Sequence, residues 1–129
     1  MLPRLERIVE AANRTGKYVL FASDGNLWPV ADDLFGASGM HGYYEIDGRA
    51  GMDLRKLRER FPDLTLVGNI ASYTLHRGTP DEVVADTRQC AETALELGGI
   101  ICGVSNQIVS QTPPGNIIAM IETLRDYRR

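Results

Sequence analysis

The chain has 129 residues, 43% apolar and 24% charged, which is enough for one domain with its own hydrophobic core. A net charge of −3 with no basic block argues against nucleic acid or an anionic membrane surface as a partner. No apolar run approaches the ~20 residues that span a bilayer.

The predicted elements alternate between helix and strand from end to end. Residues 2–15 place Leu2, Leu5, Ile8, Val9 and Ala12 on one helical face with no signal-peptide core, and Gly16 stands where a terminating glycine belongs. The run "YVLFA" (18–22) is short and continuously apolar, the pattern of a strand covered on both faces. Residues 28–38 predict a short helix with Pro29 near its start, and "GYYEI" (42–46) a second, less apolar strand. A helix over 53–61 has Asp53 as its N-cap, and "LTLVGN" (64–69) follows as a third strand. The segment 79–98 carries the strongest helix signature: Thr79 as N-cap, Pro80 at the first helical position and Glu82 closing a capping box. "GIICGVS" (99–105) predicts a fourth strand, and 113–129 a last helix. Cys90 and Cys102 form no CxxC pair and imply no disulfide framework, so they read as buried thiols in a cytoplasmic protein.

One helix followed by four βα units means parallel strands joined by right-handed crossovers, in a single domain over 1–129. A small doubly wound sheet and part of a β/α barrel both satisfy that order. A nucleotide-binding doubly wound sheet would carry a Gly-rich phosphate turn after its first strand; "SDGNLW" is not one, and no GxxxxGK[ST] occurs. A complete barrel requires eight strands and about 200 to 250 residues, roughly twice what is present.

Polar residues follow every predicted strand. Ser23, Asp24, Gly25 and Asn26 follow the first; Glu45 and Asp47 end the second; Gly68 and Asn69 end the third; Ser105, Asn106 and Gln107 follow the fourth. Each alone can be a strand terminator or a helix cap. Together they predict a site, because parallel β/α folds bring all strand C-termini to one face. Asp24 is the candidate catalytic residue, and Asn26, Glu45, Asn69, Ser105 and Asn106 are the candidate substrate-binding residues. No cation stands at these strand ends. His41 and His76 read as loop residues, Trp28, Tyr43, Tyr44 and Tyr73 as core or rim, and no spacing marks a metal site.

The segments "GN…L…GTPDEV" and "GGIICGVSNQI…TPPGNIIAMIETL" resemble the C-terminal half of the uroporphyrinogen decarboxylase superfamily, which includes cobamide-dependent methyltransferases. "ASDGN" is similar to that family's H-x-[CD]-G segment and "AGMDLRKLRERF" to its "GMD…LK" segment, so the resemblance runs from about Tyr18 to Tyr127. It implies four βα units forming half of a TIM-type (β/α)8 barrel behind one N-terminal helix. It also implies methyl transfer to a small thiol or from a methylated substrate, with the corrinoid carried by a partner protein and no tightly bound cofactor. The family's thiol methyltransferases hold zinc at three positions occupied here by Ala22, Asp24 and Asn106, a set that implies no zinc of that kind. A non-catalytic accessory half-barrel, a truncated remnant and a tetrapyrrole decarboxylase fragment are the alternatives. Four barrel strands leave two open edges, which predicts either a homodimer or a complementary N-terminal half-barrel chain as partner.

Overall fold

The computed structural model describes residues 2–128. Helix α1 (Leu2–Asn13) leads into β1 (Leu20–Ala22); β2 (Gly42–Tyr44), β3 (Thr65–Val67) and β4 (Ile100–Ile101) follow, separated by helical segments. The four strands form one sheet in the order β1-β2-β3-β4, parallel throughout. This is the α/β half-barrel architecture expected of the chain.

Sheet register divides the strand residues into two faces. Phe21, Tyr43, Leu66 and Ile100 stand in one row. Tyr43 and Leu66 are fully buried, and Phe21 and Ile100 pack against the same core. Phe35 stacks on Tyr43 with ring centroids 4.6 Å apart and meets Phe21 edge-on, so the helices cover this face. The neighbouring row, Ala22, Tyr44, Val67 and Ile101, points to the other face and does not join the core. Leu20 is 49% exposed and Ile101 57% exposed there. β1 is therefore covered on one face, not two as its apolar run suggested, because every crossover helix lies on the same side. Gly42 is required within β2: a Cβ at that position would stand 2.8 Å from the Thr65 carbonyl oxygen.

The strands are shorter than their apolar runs, since each run extends past the ladder at one end or both. Asp53 caps α2 (Leu54–Arg60) by accepting from Lys56 N at 2.8 Å. Thr79 and Glu82 form the predicted capping box of α4 (Pro80–Leu97). The helix expected over 28–38 is instead a 3-10 turn (Trp28–Val30) followed by a π-helical turn (Asp32–Ala37). Ser38 N donates to Asp33 O, five residues back, at 3.0 Å. One helix was not expected, α3 (Ser72–Arg77). It is too short to persist by propensity and is held from outside. Asp86 of α4 accepts from Ala71 N at 2.8 Å, and Asn116 of α5 (Pro114–Asp126) donates to Leu75 O and Gly78 O at 3.0 and 2.8 Å. No described helix is long and apolar enough to cross a membrane.

Candidate functional site

The site is built from the loops at the C-terminal ends of the strands. After β1, Gly25 at φ +86° turns the chain, a conformation that side chains disfavour. Asn26 Oδ1 then accepts from Trp28 N at 3.0 Å, a local turn of the Asx type. Trp28 Nε1 donates to Gly51 O at 2.8 Å, which ties the loop after β1 to the loop after β2.

The loop after β2 delivers a residue that strand-end reasoning missed. Asp47 Oδ1 accepts from Arg49 N at 3.0 Å and Ala50 N at 3.3 Å, closing a 3-10 turn over Gly48–Ala50. Gly51 continues at φ +89°, and the Arg49 guanidinium lies 3.7 Å from the centroid of the Tyr73 ring. The expectation of no cation at the strand ends is thereby corrected. Arg49 lies four residues beyond Glu45 and reaches the mouth because Asp47 bends the backbone back and Tyr73 of α3 offers a stacking platform.

The loop after β4 closes the arrangement. Ile70 and Val104 extend the β3–β4 pairing by an isolated parallel bridge. Ser105 Oγ accepts from Ser72 N at 3.1 Å, so this predicted binding residue anchors α3 and is itself buried. Asn106 Nδ2 donates to Asp24 Oδ2 at 3.2 Å, while Asn106 Oδ1 accepts from Gln107 N at 2.7 Å. Asp24, Asp47, Arg49, Tyr73, Ser105 and Asn106 line a common cavity of about 330 Å3.

Three predicted residues lie elsewhere. Asn69 lines a separate cavity of about 580 Å3 between α2 and α4, with Arg49 bordering both cavities. Its backbone N–H points to Cys90 Sγ at 3.4 Å, and Cys90 Sγ donates to Gly68 O at 3.1 Å. The neighbouring Cys102 thiol, and then burial, push the Cys90 thiol well above the ordinary range. Asn26 serves its own turn. Glu45, at φ +69°, does not line the Asp24 cavity, although its charge reaches Tyr43. Burial first, then the charges of Asp47, Asp24 and Glu45, push the Tyr43 phenol up to about 12, so it stays protonated and donates to Ser23 O at 3.0 Å. Tyr43 thus supports the loop that carries Asp24.

The donor chemistry does not fit a thiolate-activating zinc. Ala22 offers only a methyl group, and the Asn106 amide is turned toward Asp24. Among the described residues no three of His, Cys, Asp and Glu gather as a metal site.

A parallel sheet with helices on one face, and with polar groups gathered beyond its strand C-termini, defines half of a TIM-type barrel and its mouth. Residues 1–127 match the uroporphyrinogen decarboxylase (URO-D) family, and the chain belongs to that family. None of the curated proteins compared matches it.

Proposed function

We propose that this URO-D-like domain is half of a corrinoid-dependent methyltransferase whose mouth, around Asp24, holds a small thiol or methylated substrate. The observation that carries this reading is the meeting of Asp24 with Asn106 from a loop 82 residues away, inside a cavity with a stacked arginine. The corrinoid, brought by a carrier protein, supplies the transferable methyl group. Asp24 acts as general base: its carboxylate takes the proton of the acceptor thiol, while Asn106 orients it by donating to Oδ2. Arg49 and Ser105 belong to the walls that position the acceptor. Asn26, Glu45 and Asn69, expected at the substrate, are assigned to loop structure and to the neighbouring cavity.

The reading extends to assembly. Leu20, Ala22, Tyr44, Val67 and Ile101 form a face that the chain's own helices leave open, and β1 and β4 are unpaired edges. Two copies related by a two-fold axis along the barrel would pair β4 of one with β1 of the other, keep all strands parallel and close one eight-stranded barrel. A complementary N-terminal half-barrel chain would meet the same requirement. The compartment proposed is the cytoplasm, in keeping with the free thiols of Cys90 and Cys102.

A non-catalytic accessory role has one specific observation in its favour, the replacement of the family's zinc ligands by Ala22 and Asn106. Tetrapyrrole decarboxylation is less well supported, because several carboxylates need several cations and this mouth offers Arg49 alone among its lining residues. The test is methyl transfer from a methyl-corrinoid to a panel of thiols, comparing the chain with its Asp24→Ala variant. Transfer that depends on Asp24 supports the methyltransferase reading; no transfer by a confirmed dimer sinks it in favour of the accessory role.

A further inference from the structure

We infer that the Asp24 mouth selects a small amphoteric ligand, with a carboxylate held by Arg49 and an ammonium or similar cationic donor facing the acidic wall that Asp24 and Asp47 form. This deepens the proposed function, on which it rests, by naming a substrate class for the same cavity.

The argument begins with the unusual placement of the arginine. Asp47 is the nearest carboxylate in sequence, yet its Oδ1 is committed to the backbone N–H groups of Arg49 and Ala50. Among the described residues Arg49 joins no ion pair; the pairs present are Arg14–Glu10, Arg55–Glu96 and Arg60–Asp32. The Tyr73 ring, 3.7 Å from the guanidinium carbon, holds the group over its face without using its N–H donors. A fixed guanidinium with unused donors is preorganised for a planar, bidentate acceptor such as a carboxylate. Tyr73 itself is 59% exposed, so the ring forms a platform at the rim and contributes little to the core.

The same cavity presents the opposite charge. Asp24 uses Oδ2 for Asn106, and Oδ1 makes no hydrogen bond among the described residues. Ser72, another lining residue, has a buried hydroxyl without a partner, a further unused polar group in the wall. An anion alone would be repelled by Asp24 and Asp47, and a cation alone by Arg49. A ligand with both charges satisfies both ends. The volume of about 330 Å3 is at the small end of the range for ligand sites, which favours an amino-acid-sized molecule over a macrocycle.

The experiment titrates the 129-residue chain with 4-aminobutyrate, butyrate and butylamine, following backbone amide resonances of Arg49, Ala50, Ser72 and Asn106. 4-Aminobutyrate is expected to shift these resonances and to bind about tenfold or more tighter than either singly charged probe, since each charge-assisted contact adds roughly that factor. Arg49→Gln removes most of this preference, and Arg49→Lys keeps the charge but loses the fork and falls between. Equal binding of the three probes, absence of 4-aminobutyrate binding, or indifference to Arg49→Gln overturns the inference and leaves Arg49 a surface stack. Probe binding without methyl transfer would sink the methyltransferase reading and leave this one standing. Methyl transfer unaffected by Arg49→Gln would do the reverse.

Discussion

Asn106 Nδ2 and Asp24 Oδ2 lie 3.2 Å apart although 82 residues separate them, and they come from the loops after the first and last strands of the sheet order. The bond ties the two edges of the half-barrel together at the mouth. It also keeps one carboxylate oxygen engaged and leaves the other for chemistry.

Asp24→Ala is expected to lower methyl transfer by about 10²-fold or more, the usual effect of losing a positioned base. Asn106→Ala, which removes only the orienting donor, should lower it by a smaller factor. Asp24 is exposed, so both variants should keep their stability within about 0.5 kcal/mol of the parent. Initial rates and melting curves measured together check this; an unchanged rate in Asp24→Ala removes it from the mechanism.

The open face predicts association. Leu20→Glu with Ile101→Glu places like charges on side chains that the chain's own core does not bury. The double variant should shift from dimer to monomer in light scattering behind a sizing column, with its helical circular dichroism preserved. A parent chain that is already a stable monomer would end the two-copy barrel.

The capping box of α4 yields a stability prediction. Thr79→Ala removes the acceptor for Glu82 N and should cost about 1 kcal/mol, read from denaturant midpoints. The hydrogen bonds from Thr79 N and Oγ1 hold the Glu82 carboxyl below the ordinary glutamate range. A depressed carboxyl contributes stability above its unfolded pKa and loses it as pH falls through the folded value. The gap between parent and Thr79→Ala should therefore narrow in acid.

Asp86 has the opposite sign. Burial raises its pKa, partly offset by hydrogen bonds from Ala71 N and Thr74. A raised carboxyl favours folding while protonated, and that contribution is lost as pH rises from the ordinary aspartate range through the folded value. Asp86→Asn keeps an acceptor for Ala71 N and cannot ionise. Its stability relative to the parent should rise between acid and neutral pH; parallel urea midpoints across that range would refute the assignment.

Much of the scaffold was legible in local pattern. The βα alternation, the Asp53 cap and the Thr79–Glu82 box depend on residues within one or two turns of each other, where sterics and short hydrogen bonds act without help from the rest of the fold. α3 was not legible, because Asp86 and Asn116 hold its ends from other helices. Nor was the one-sided covering of β1, since a short apolar run reads alike whether one face is buried or two.

The candidate site divides in the same way. That polar residues stand after each strand, with Asp24 among them, was determined by the sequence alone, because turns and strand ends call for such residues locally. Only the tertiary structure decided which of them meet: Asp24 with Asn106 in one cavity, Asn69 in the next, and Arg49 carried to the wall between them by the Asp47 turn and the Tyr73 ring. These meetings depend on strand order, on the register between strands and on loop paths. No single segment encodes them, because each is set by weak contacts summed across the whole sheet.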